Sequence, residues 1–290
     1  MTWTLEPDDS LLASTSRFLG QGHFVAYKTV MALYFFFWCI WWPYAEGDTI
    51  WEFVTYWSFY VSNVYFISSS LTAVLRLKKN AESVILPDHE PSANEDVAGR
   101  QLLDRTESMS EELLLRIQLI SWYIACPCTL VVLVIFWATL YSGGTLSSTD
   151  VNAHLLVAIV LIMDQFVVAT RYPLHAFWFA EAYGFTYLIF NVTWYFATPK
   201  GDGVIYSILD WGDSPWKAVM YIVIVLFLLI PGFTFLHNWL HRYREGFFEQ
   251  RQLACVGSRL SDPLLASSAV HEQAGAEAAE GATASYQNQV

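Results

Sequence analysis

Apolar residues run through this chain in long blocks, without the two-residue alternation of half-buried strands or the narrow stripe of a soluble amphipathic helix. A hydrocarbon layer about 30 Å thick takes roughly 20 apolar residues in a helix. Six stretches meet that length: 24–42, 51–75, 117–141, 152–170, 173–197 and 217–239. The pattern therefore predicts an all-α polytopic membrane bundle of about six transmembrane helices. The breaks between stretches are short and rich in Pro, Gly and acidic residues, with one exception. Residues 76–115 start RLKKN and are rich in Glu, Asp, Ser and Pro, so they read as a mobile loop apart from its last turns, where SMSEELLLRI has a helix-start pattern. From about 246 the chain turns Ala/Glu/Ser/Gly-rich and reads as a disordered tail. The expected division is a segment 1–23, a transmembrane domain 24–245 and a tail 246–290.

Composition narrows the class further. Of 290 residues, 55% are hydrophobic and 17% aromatic, against 14% charged, which is more apolar side chain than a soluble core needs. The formal charge of −12 disfavours nucleic acid as a partner, since phosphate binding takes clustered cations. Four cysteines without ligand spacing point away from a disulfide scaffold or a zinc module. No metal or organic cofactor is called for.

The cations set the orientation. With the N-terminus inside and six alternating spans, only Lys200 and Lys217 of the fifteen Lys and Arg lie outside. The other thirteen, Lys28 and Arg171 among them, fall on the inner side. That asymmetry places both termini in the cytoplasm. The first span lacks a basic n-region and a small-residue cleavage site, so it reads as a retained anchor. The expected location is a eukaryotic plasma membrane or endoplasmic reticulum.

Polar groups inside a span cost about 2.5–3.5 kcal/mol each on insertion scales, so each calls for a reason. The second span carries Thr55, Ser58, Ser62 and Asn63; the fourth carries His154 and Asp164 and ends at Arg171; the fifth carries His175, Glu181 and Asn191. Spans four and five form a hairpin turning near 172–173, so residues summing to about 345 share a depth at 1.5 Å of rise per residue. Asp164 is then level with Glu181 in the inner half, and His154 level with Asn191 near the outer boundary, where Thr55 also lies. A hydroxyl, an imidazole and an amide at one depth can supply a nucleophile, its base and an orienting or oxyanion-binding group. The competing reading is packing, because Thr and Ser at helical spacing also let membrane helices approach closely. Asp164 and Glu181 suggest a shared proton, a cation site, or pairing with Arg171 or His175, in a structural network or in a small transporter.

The blocks WEFVTYWSFYVSNVYF, VNAHLLVAIVLIMDQF, RYPLHAFWFAEAYGFTYLIFNVTWYF and IYSILDWGDSPWKAV resemble successive parts of the rolling stone-like proteins, over roughly 24–240. Those are in turn distantly similar to the androgen-induced, androgen-dependent family, whose members hydrolyse fatty acid esters of hydroxy fatty acids with a threonine. The resemblance implies a catalytic role for Thr55, in Val54-Thr55-Tyr56, and for His154, in Asn152-Ala153-His154, where the wider family has an adjacent Asn-His. The leading expectation is a lipid ester hydrolase using Thr55 and His154, with Asn191 or Asp210 orienting His154 or binding the oxyanion, and with membrane lipid as partner. The alternative is a non-enzymatic membrane protein in cell contact or fusion, the role associated with the founding rolling stone-like protein.

Overall fold

A computed structural model describes residues 13–16, 18–47, 51–85, 97–141, 143, 145–199 and 203–260, without the side chains of 46, 82–85, 97–108, 249 and 251–260. The chain forms two compact units, 1–241 and 242–290. Among the described residues there is no strand beyond one isolated bridge, between Ser16 and Val168. The helices are α1 (Gln21–Glu46), α2 (Val54–Ile85), α3 (Val97–Ile135), α4 (Ser148–Val151), α5 (Val157–Val167), α6 (Phe177–Ala197), α7 (Pro215–Ile224) and α8 (Ile230–Leu260). Three π turns extend or join them: π1 (Phe136–Leu140) prolongs α3, π2 (Asn152–Leu156) joins α4 to α5, and π3 (Val225–Leu229) joins α7 to α8. Four of the resulting rods are long and apolar enough to cross a membrane: Gln21–Ala45, Met109–Leu140, Ser148–Val167 and Pro215–Phe248. The chain is an all-helical protein with the character of an integral membrane protein.

Two boundaries differ from the sequence expectation. The segment 76–115 is helical where it is described: α2 runs on to Ile85 and α3 begins at Val97, leaving 86–96 outside the described residues. Helix also continues to Leu260, past the expected tail boundary at 246, while 261–290 lie outside the description. Both extensions are polar helix. Lys79 pairs with Glu111 at 2.5 Å between α2 and α3, and Arg116 pairs with Glu112 one turn away. A search for apolar blocks ends a helix where the apolar residues stop, whereas the helix itself continues past that point.

The main core lies where α2 packs against α1 and α3. Phe35 stacks on Phe66 with ring centroids 4.7 Å apart and lies 4.9 Å from Phe59. Small hydroxyl residues permit that closeness: Ser58, Ser62 and Ser69 of α2 are buried, and Ser62 donates to the Ser58 carbonyl at 2.8 Å. Packing thus accounts for much of the Ser-rich face of α2.

Two prolines inside helices leave carbonyls without their helical donors, and tyrosines supply the replacement. Pro43 in α1 frees the carbonyl of Cys39, which accepts from the hydroxyls of Tyr56 and Tyr60, each at 3.1 Å. Pro127 in α3 frees the carbonyl of Tyr123, which accepts from the Tyr172 hydroxyl at 3.1 Å. Pro43 therefore marks a junction of α1 with α2, and Pro127 a junction of α3 with the segment between α5 and α6. Further side-chain bonds tie α5 to α8, where Gln165 Nε2 donates to the His237 carbonyl at 2.6 Å and Gln165 Oε1 lies 2.5 Å from His237 Nδ1. Residues 13–16 are held by Gln118 of α3, which donates to the Ala13 carbonyl at 2.9 Å, and by Ser16, which donates to the Val167 carbonyl at 2.6 Å.

Candidate functional site

Thr55 is the second residue of α2, at a helix end whose first amide hydrogens have no partner within the helix. His154 sits in π2, one turn after Asp150 in the rod that Ser147 caps. A capping box starts that rod: the Ser147 hydroxyl accepts from the Asp150 amide at 3.0 Å, and the Asp150 carboxylate accepts from the Ser147 amide at 3.1 Å. The fixed first turn leaves the Asp150 carbonyl 3.0 Å from His154 Nδ1. A carbonyl can only accept, so Nδ1 carries the proton and donates it there. Nε2 of the neutral ring is then an acceptor, and it lies 3.3 Å from Thr55 Oγ1. The ring is clamped on its other side by Phe136 of π1, nearly parallel at 8° and 3.6 Å between centroids. Orientation, tautomer and target hydroxyl are thus all specified.

Two cavities meet at this pair. One lies among α3, α6 and the α7–π3–α8 rod and is walled by apolar side chains such as Val131, Leu188 and Ile222. The other is bordered by Ser147, Thr149, Asp150 and Ser207 and is more polar. Thr55, Phe136, Leu140, His154 and Tyr206 line both. The hydroxyl and the imidazole therefore stand in the partition between an oily chamber and a polar vestibule. All three π turns contribute to the oily chamber: Phe136 and Leu140 from π1, His154 from π2, Val225 and Leu226 from π3. The wide turns rotate those side chains off the regular helical face.

Tyr206 completes the partition. Its hydroxyl accepts the Val54 amide, the first of α2, at 3.1 Å, and its ring packs edge-on to Phe53. Burial pushes its phenol up to about 12, so it remains a hydrogen-bond donor at neutral pH. It is carried by the segment after α6, which returns tightly along that helix: a Cβ on Gly203 would stand 2.9 Å from the Tyr195 carbonyl oxygen.

The remaining sequence candidates divide between this site and elsewhere. Asn191 lines the oily chamber with Thr55 and His154, but its Oδ1 accepts from the Trp211 indole at 2.9 Å and His154 is oriented by the Asp150 carbonyl instead. Asp210 is spent on its own turn, where Oδ1 accepts the amides of Gly212 at 2.9 Å and Asp213 at 3.0 Å. Asp164 has no tie to Glu181, Arg171 or His175. Its carboxylate pairs with Lys28 at 2.7 Å and accepts from Tyr27 at 2.8 Å and Tyr65 at 2.5 Å, with Lys28 and Asp164 both fully buried. Lys28 is accordingly a core residue of α1, and it leaves the set of inner-face cations. Arg171 and His175 are exposed, while Glu181 is buried on α6. Cys126 and Cys128 are free buried thiols. Among the described residues no group of three His, Cys, Asp or Glu is placed to hold a metal ion.

Phe136, the Asp150 carbonyl and Tyr206 were missed in the sequence. Ser147-Ser148-Thr149-Asp150 carries a readable capping pattern that places Asp150 one turn before His154. For Phe136 and Tyr206 no pattern in the chain points to the site. No protein-family model, curated protein or solved structure matches the chain.

Proposed function

We propose that this protein is a membrane-embedded lipid ester hydrolase that uses Thr55 as nucleophile and His154 as general base. The observation that carries the reading is the 3.3 Å contact between Thr55 Oγ1 and a His154 Nε2 left as an acceptor by the Asp150 carbonyl, at the border of an apolar and a polar cavity. An unassisted threonine hydroxyl is a weak nucleophile near neutral pH, and a positioned imidazole removes that obstacle.

In the first half-reaction Thr55 Oγ1 attacks the ester carbonyl carbon while its proton passes to His154 Nε2. The negative charge that develops on the carbonyl oxygen is met by the Tyr206 hydroxyl, whose own oxygen accepts the first amide of α2. Collapse breaks the carbon–oxygen bond to the leaving alcohol, which takes the proton from His154. Water from the vestibule then gives a proton to His154 and attacks the acyl-Thr55 carbonyl. The acid leaves, and the proton returns to Thr55.

The same reading takes six membrane spans with both termini in the cytoplasm, which puts Thr55, His154 and Tyr206 near the outer or lumenal boundary. It takes the protein as a eukaryotic plasma-membrane or endoplasmic-reticulum protein, related to the rolling stone-like proteins and more distantly to the androgen-induced, androgen-dependent hydrolases. A transporter built on Asp164 and Glu181 lacks support in the geometry, because Asp164 is neutralised by Lys28. No feature of the site speaks for a role in cell contact or fusion. The test is hydrolysis of long-chain esters by the purified protein in lipid nanodiscs. Turnover lost in Thr55→Ala supports the reading, and absence of turnover in the wild type across ester classes overturns it.

A further inference from the structure

We infer that the apolar chamber below Thr55 and His154 holds one straight acyl chain end-on, and that Gly184, with Leu226 and Ile230, forms the floor that limits its length. The inference rests on the hydrolase reading for the identity of the reacting group, while the chamber itself can be tested without turnover.

The chamber is chemically one-ended. Polar groups gather at one end, at Thr55, His154, Tyr206 and Asn191, while the hydroxyl of Tyr187 is spent on the Glu52 carbonyl at 2.7 Å, that of Tyr183 lies 3.2 Å from Ser58 Oγ, and Tyr221 of α7 adds one hydroxyl to the wall. From there the wall descends along α6 from Asn191 to Gly184 and along π1 and α3 from Phe136 to Cys128. At 1.5 Å per residue both descents are roughly 10–12 Å, the extended length of about eight to ten carbons. A ligand matched to this shape has a polarised carbonyl at one end and an unbranched hydrocarbon beyond it.

The floor is a point of close helix approach. A Cβ added to Gly184 would stand 2.8 Å from Leu226 Cδ2 and 3.0 Å from Ile230 Cδ1. With glycine at 184, side chains of the α7–π3–α8 rod pack directly against the backbone of α6. Ala180, one turn below, is fully buried in the same cluster as Leu226, Ile230, Cys128 and Val131, which closes the space underneath. The atoms that a larger residue at 184 would meet are flexible side-chain ends. They yield by turning into the chamber, so the substitution shortens the space before it separates the helices.

The experiment uses the full chain in nanodiscs. Hydrolysis of a homologous series of straight-chain p-nitrophenyl esters is measured on the wild type. On Thr55→Ala, the Tm shift produced by the matching saturated fatty acids is measured, a readout that needs no catalysis. Both profiles are expected to peak at one chain length. Gly184→Val moves both peaks to shorter chains by two or more carbons, and Leu226→Ala moves both to longer ones. Unchanged length profiles in the two folded variants overturn the inference while leaving a Thr55-dependent hydrolase standing. Fatty-acid profiles that shift as stated, with no ester hydrolysed by the wild type, keep the acyl chamber and overturn the hydrolase. Failure of every fatty acid to change the Tm overturns the chamber.

Discussion

The buried pair of Lys28 and Asp164 offers a stability prediction that can be worked from distances. At 2.7 Å and an effective dielectric constant of 20, the attraction is about 6 kcal/mol. Removing each ion from water costs several kcal/mol, so the intact pair is close to balanced and its loss is asymmetric. Lys28→Met leaves Asp164 with the two tyrosine donors and should cost about 3 kcal/mol. Asp164→Asn leaves an ammonium facing a neutral amide, with the Tyr65 oxygen at 2.8 Å and the faces of Phe24, Tyr27, Tyr65 and Phe66 around it, and should cost about 4–5 kcal/mol. The amide substitution is therefore not the mild change it would be for a lone carboxyl. In Lys28→Met/Asp164→Asn both charges are gone, and the combined loss should fall short of the sum of the singles by at least about 2 kcal/mol. Reversible unfolding of the four proteins in mixed micelles measures this cycle. Singles that add to within about 0.5 kcal/mol would refute the reasoning, since contacting charges cannot be independent.

Other outcomes follow from the site and from the fold. Tyr206→Phe should lower kcat for ester hydrolysis by about 10²-fold, the scale for removing one oxyanion donor, with KM little changed. Because burial pushes the Tyr206 phenol up to about 12, the wild-type rate should show no alkaline fall due to this group up to about pH 10, where an ordinary tyrosine is already half ionised. Asp210→Ala should change kcat by less than about tenfold, because its carboxylate caps a turn and does not touch His154. Tyr172→Phe should destabilise the fold by about 1–3 kcal/mol in micelle unfolding, because the Tyr123 carbonyl freed by Pro127 loses its donor. For topology, accessibility tags at both termini and in the 86–96 segment should be cytoplasmic, and one after Thr145 should not be.

What could be read in the sequence was what repeats along a helix. Apolar blocks located the helical rods, and the hairpin rule placed His154 level with Asn191, which line the same chamber with Thr55. That rule gives depth but not rotation about the helix axis, so the level pair Asp164 and Glu181 was matched while the actual partner, Lys28 on α1, was passed over. A lysine inside an apolar run facing an acid inside another was nevertheless a usable signal. The orienter of His154 is a backbone carbonyl, which every residue possesses and which no side-chain pattern reveals. The π turns that carry Phe136 and His154 depart from the 3.6-residue period, so a reading built on that period hides them. Helix extending beyond the apolar blocks, as in the polar ends of α2, α3 and α8, was hidden for the opposite reason, since its sequence carries no apolar stripe that a hydropathy reading detects.

The central claim is that His154 activates Thr55 for attack on an acyl group, and covalent labelling tests it most directly. The protein in nanodiscs is treated with a lipophilic fluorophosphonate, and the modified residue is identified by mass spectrometry of the intact chain and its peptides. The account predicts one adduct per chain, on Thr55, formed far more slowly in His154→Ala and absent in Thr55→Ala, with all three proteins equally monodisperse. An adduct on another residue, or labelling of Thr55 at an undiminished rate without His154, would contradict it.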